Sequence, residues 1–141
     1  MNNKQNPWSW RTNPEELTNQ INNYEVLGIT KSFKGIVVLI FCGISLISVA
    51  LSFFGLLLLS DVIISLIIYL AVLIFVYKGH RWAMVVLMVI WTLDKVYTMY
   101  LSVQLGFSPV NSIIWWLIVT PYIYKAIKVE NMRRKINLIN K

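Results

Sequence analysis

The chain has one cysteine, one histidine and six acidic residues, and these shortages remove several kinds of chemistry before any motif is considered. Cys42 stands alone, so no intramolecular disulfide or dithiol redox pair can form. His80 also stands alone, close to the cations Lys78 and Arg81, so no metal site is implied. No cofactor-binding motif is present, and no cofactor is implied. Intramembrane proteases, lipid phosphatases and isoprenyl-processing enzymes need carboxylate pairs, several histidines, or a serine or cysteine beside a base. The apolar segments contain neither a histidine nor a carboxylate pair, so the expected role is non-enzymatic.

Apolar residues are abundant instead. The chain is 57% hydrophobic and 13% charged, with a mean hydropathy of +0.65, and a core of this size has no room to hide so much apolar surface from water. Four segments, roughly Lys34 to Leu57, Ser60 to Tyr77, Trp82 to Leu105 and Val110 to Ile127, each approach the ~20 residues that a helix needs to cross a ~30 Å hydrocarbon core. The expected fold is an all-α, four-helix transmembrane bundle with amphipathic interfacial helices at both termini. It divides into an N-terminal segment (1–33), a transmembrane domain (34–127) and a basic tail (128–141). The first apolar run follows Glu15, Glu16 and Glu25 and precedes no small-residue cleavage site, so it reads as a retained helix.

Twelve of the thirteen lysines and arginines lie on one side of these crossings. Lys4, Arg11, Lys31 and Lys34 precede the first segment, Lys78 and Arg81 join the second to the third, and Lys125, Lys128, Arg133, Arg134, Lys135 and Lys141 close the fourth. The positive-inside bias accounts for the net charge of +7 without nucleic acid, and it places both termini in the cytoplasm, most simply of a bacterial plasma membrane. Asp61 is the single charge in the two outer connections.

Asn13, Pro14 and Glu16 read as a helix start, with Asn13 as N-cap and Glu16 reaching back as in a capping box. A short amphipathic helix is expected from about Pro14 to Val26, with Leu17, Ile21 and Tyr24 on one face. It would lie on headgroups or cover the mouth of its own bundle, with Trp8 and Trp10 at the lipid interface. In the first span, Ser45, Ser48, Ser52 and Gly55 form a stripe of small residues suited to close helix packing. Ser60 is expected to cap the second span, with Asp61 at its positive end.

Between the second and third spans, Gly79-His80-Arg81-Trp82-Ala83 makes a tight basic hairpin with its interfacial tryptophan. Here the chain resembles uncharacterised small bacterial four-span integral membrane proteins that carry a Gly-x-Arg-Trp-Ala cytoplasmic turn. The resemblance implies the layout and transfers no activity. Further on, Pro121 frees a carbonyl near Leu117 and predicts a kink. A separate tail helix is expected beyond it, with Val129, Met132, Ile136 and Ile139 on one side and Arg133, Arg134 and Lys135 on the other, suited to anionic lipid.

Asp94 and Lys95 are the exceptional residues. They lie about 18 to 20 Å into the third span, where an isolated charge costs ~2.5 to 3.5 kcal/mol, so they should face the bundle, a partner chain or water. Consecutive helical residues point ~100° apart, which makes the two poor partners for each other, although both are within reach of a common third group. Trp91 is placed to offer its ring to the ammonium and Thr98 to donate to the carboxylate. Ser45, Ser48, Ser65, Tyr69, Thr120 and Tyr122 fall at comparable depth on the other spans, which predicts one buried polar layer. That layer suits a non-catalytic assembly or accessory component of a membrane complex, or a homo-oligomer. The alternative is a homo-oligomeric ion- or proton-coupled transporter or channel using Asp94.

Overall fold

The computed structural model describes residues 13–24, 26–55 and 58–139, so Trp8, Trp10, Leu56, Leu57 and the side chain of Ile139 lie outside the description. Among the described residues there are five helices and no strand: α1 (Pro14–Asn22), α2 (Phe33–Phe53), α3 (Leu59–Tyr77), α4 (Arg81–Gln104) and α5 (Val110–Ile139). The last four are each long and apolar enough to cross a membrane.

Local chemistry explains the first helix boundaries. Asn13 Oδ1 accepts from the Glu15 amide at 3.2 Å, and Ser32 Oγ accepts from the Gly35 amide at 3.0 Å, each satisfying an amide that has no partner inside its helix. Helix α1 stops at Asn22, short of the expected Val26, because Asn23 leaves the helical conformation and its side-chain amide donates to Asn19 Oδ1 at 2.6 Å. Ser60 does not cap α3. Leu58 holds that position without a side-chain bond, and the Ser60 hydroxyl bonds Asp61 Oδ1 at 3.3 Å one residue inside the helix.

Helix α2 packs against α3 and α5, and α4 packs against α3 and α5, so the four long helices close a ring in up-and-down order. All remaining terminal lysines and arginines among the described residues then gather at one end, called here the basic end. The α2–α3 and α4–α5 connections form the charge-poor end.

The fourth apolar segment and the tail are one helix rather than two. At ~1.5 Å per residue, the 30 residues of α5 span about 45 Å, more than the ~30 Å of hydrocarbon. The helix runs on through Pro121, whose ring is fully buried in the bundle, and projects past the basic end. Tertiary packing tolerates the lost backbone bond here.

Helix α1 covers that same end. Leu17 is buried against the main core, Ile21 and Tyr24 pack beside it, and α1 contacts α5. Buried Gln20 ties α1 to the start of α2: its Nε2 donates to the Lys31 carbonyl at 2.6 Å, and its Oε1 accepts from the Phe33 amide at 3.3 Å. Tyr24 reaches the α3–α4 turn, where its hydroxyl sits in the space that a Cβ on Gly79 would fill. Gly79 has φ +80°, so glycine there serves both the turn and the approach of the tyrosine.

Candidate functional site

Three helices each turn a polar-bearing face into one hollow in the charge-poor half. Phe41, Ile44, Ser45 and Ser48 come from α2, Trp91, Asp94, Lys95 and Thr98 from α4, both sets at the i, i+3, i+4, i+7 spacing of a single helical face. Asp61, Ser65 and Tyr69 recur every four residues on α3 and complete the walls. The cavity measures about 320 Å³.

Asp94 and Lys95 do pair, contrary to the sequence expectation. Lys95 Nζ lies 2.8 Å from Asp94 Oδ2 and 4.3 Å from the centre of the Trp91 ring. The Cβ atoms diverge, but the four-carbon stem of the lysine leans back toward the helix N-terminus, onto the turn that carries Trp91. That reach brings the ammonium round to the carboxylate. Lys95 is 18% exposed and Asp94 43%, so the lysine is the more enclosed member. Thr98 does not bond the carboxylate: its hydroxyl donates to the Asp94 backbone carbonyl at 2.7 Å.

An aromatic cluster floors the cavity on the side of the basic end. Phe41 stands 5.4 Å from Tyr69 and 5.2 Å, edge to face, from Trp91, with Phe41 and Trp91 each 2% exposed. Trp91 Nε1 is buried without a hydrogen-bond partner among the described residues.

Other expected members lie elsewhere. Thr120 is fully buried on α5, its hydroxyl unpartnered among the described residues, and Tyr122 sits toward the basic end with Lys125 Nζ 5.9 Å from its ring. Neither lines the cavity, because α5 meets α4 through Trp116, whose Nε1 donates to Thr92 Oγ1 at 3.2 Å. In the small-residue stripe, Ser48 donates to the Ile44 carbonyl of its own helix at 3.0 Å, and Ser52 Oγ is buried without a partner among the described residues. Gly55 lies past the end of α2 at φ +71° with no atom near its missing Cβ, so it turns the chain rather than packing it.

Sequence reasoning gave Asp61 only a helix-end role, although the Asp61, Ser65, Tyr69 periodicity was a signal for a shared face. It also missed a second polar cluster, at the basic end. Glu130 is fully buried in α5, yet it accepts from Arg133 Nε and Nη2, both at 3.1 Å, and from Arg134 Nε at 2.7 Å. Arg133 and Lys34 also lie over the Tyr24 ring, at 4.2 and 3.9 Å from its centre. Burial and the Glu130 carboxylate push the Tyr24 hydroxyl above its ordinary value of 10.0. This cluster fastens α1 to the tail of α5.

No three histidine, cysteine or acidic side chains among the described residues are grouped to hold a metal ion. The working chemistry on offer is one ion pair, a second carboxylate, hydroxyls and aromatic faces. No family model, curated protein or solved structure matches this chain.

Proposed function

We propose that this small multi-pass membrane protein is a non-catalytic assembly or accessory component, joining its own copies or a larger complex along the seam between α3 and α4. The observation that carries this reading is Asp94, 43% exposed in mid-helix. Besides the cavity, Asp94 borders a shallow hollow on the bundle flank, edged by Ser65, Ile68, Ile90, Leu93 and Tyr97. It stands thirteen residues from one end of α4 and ten from the other, about 20 and 15 Å at ~1.5 Å per residue, so neither interface is near. A charge left to acyl chains at that depth costs several kcal/mol (~2.5 to 3.5 on insertion scales), whereas a neighbouring helix laid on the seam supplies cover and donors. The positive-inside bias supports a cytoplasmic basic end with both termini inside, in a bacterial plasma membrane. The basic tail is suited to anionic lipid.

A cysteine placed at Ile68 in a Cys42→Ala chain tests the seam. Oxidation of native membranes should give a linked dimer or a linked partner, and Asp94→Asn should reduce it. A chain that stays monomeric and unlinked in native membranes would sink the reading.

The cavity favours a second reading, an oligomeric transporter or channel in which Asp94 takes and releases a proton or cation. In that case Asp94→Asn abolishes flux in liposomes and leaves assembly intact.

A further inference from the structure

The cavity lies within one chain, so what it holds is a question separate from assembly. Its walls carry two carboxylates, Asp61 and Asp94, against one ammonium, Lys95. That ammonium is already shared between Asp94 Oδ2 and the Trp91 face. Among the described residues, Asp94 Oδ1 accepts no hydrogen bond, and Asp61 is bonded only by the neighbouring Ser60 hydroxyl. Asp61 lies near the start of α3, at the charge-poor end, and the aromatic floor closes the opposite side.

We propose that this cavity binds a monovalent organic cation, an amine or quaternary ammonium with a small apolar body. The ammonium would sit at Asp94, drawn inward past Asp61, with the apolar body against Phe41, Tyr69 and Trp91. Lys95 shows that the surroundings already accept this chemistry, since its own ammonium rests between a carboxylate and an indole. An anion meets two carboxylates and a lysine that is already engaged. A metal ion finds no cluster of donors among the described residues. At about 320 Å³ the space falls at the lower end of the ~300 to 1,000 Å³ of small-molecule sites, enough for one compact molecule.

The test is calorimetric titration of benzyltrimethylammonium into the full chain in phosphatidylcholine nanodiscs, with neopentylbenzene as neutral isostere and benzenesulfonate as anion. The cation should bind saturably, and neither control should compete. Asp94→Asn should weaken binding at least about tenfold, the worth of one charge-assisted contact. Asp61→Asn should weaken it about two- to threefold through loss of steering and screening. Lys95→Met should bind more tightly than wild type, because the lysine no longer competes for the carboxylate. This last variant keeps the test decisive even if Asp94→Asn fails to fold. The proposal is overturned by an absence of saturable binding, by equal competition from the neutral isostere, by a folded Asp94→Asn chain within about threefold of wild type, or by a Lys95→Met chain that binds no tighter.

Discussion

At the basic end, Val76, Ala83, Leu87 and Ile123 are wholly enclosed, and α1 is drawn over them by Leu17, Gln20 and Tyr24. At the charge-poor end the same helices part around a polar hollow. Apolar character alone does not explain the difference, since exposed apolar side chains occur at both ends, among them Ile74, Trp82 and Val85 at the basic end and Leu46, Phe53 and Ile64 at the other. In lipid, apolar side chains gain little from meeting one another, so close approach depends on shape and on internal bonds. The basic end has both, through Ala83, the Gly79 turn and the buried bonds of Gln20 and Glu130. The charge-poor end has three facing rows that include serine, aspartate and lysine, and these line the cavity.

The contrast can be broken most severely at the aromatic floor that separates the two halves. Trp91→Ala should cost about 3 kcal/mol by opening a void between Phe41 and the core, read as a lowered unfolding midpoint in detergent. Glu130→Ala should come next, at about 2 kcal/mol, because Arg133 and Arg134 lose the carboxylate they share, one of them half in solvent. Its loss should show as faster hydrogen exchange in α1 with the cavity residues unchanged. If the cavity slackens equally, the two ends are not independent.

A smaller effect sharpens the charged half. Asp94→Asn and Lys95→Met should each cost about 1 to 2 kcal/mol, and the double substitution less than the sum of the two, because the two charges contact each other directly. Strict additivity would mean that each residue answers to a different partner. Smaller still, Ser48→Ala should fall within about 0.5 kcal/mol, since Ser48 bonds only its own helix, whereas Gly55→Ala should cost about 1 kcal/mol through its positive φ.

The basic end also carries a pH dependence. The Tyr24 hydroxyl is raised above 10.0 by burial and by Glu130, so its stabilising effect is complete below about pH 10 and fades as pH rises beyond it. After correction for the intrinsic base catalysis of amide exchange, α1 should lose protection above that pH in the wild type, and Tyr24→Phe should remove that loss.

Some of this was legible in the residues. Four apolar runs of spanning length, polar connections and the cap at Asn13 predict the helices within about four residues, except that α5 runs on to Ile139 from the expected end at Ile127. The face shared by Trp91, Asp94, Lys95 and Thr98 follows from helical periodicity. The Asp94–Lys95 bond was not legible, because a rule about Cβ directions ignores the reach of a four-carbon stem. Thr120 and Tyr122 matched the site in depth but not in azimuth, and depth is all that counting residues from an interface supplies. Glu130 passed unnoticed among basic neighbours because its burial depends on α1 returning to cover the end of the bundle.

The sequence by itself determined that four helices form in an apolar solvent, which end collects the cations, and that two opposite charges are carried deep into α4. Those outcomes depend on composition and local period, which need no knowledge of neighbours. Only the tertiary structure decided which helix faces meet, that α5 stays out of the cavity, and that Asp61 enters it. These depend on helix rotation and on the path of the returning chain, and packing fixes them because a lipid solvent rewards shape and internal bonds more than burial alone.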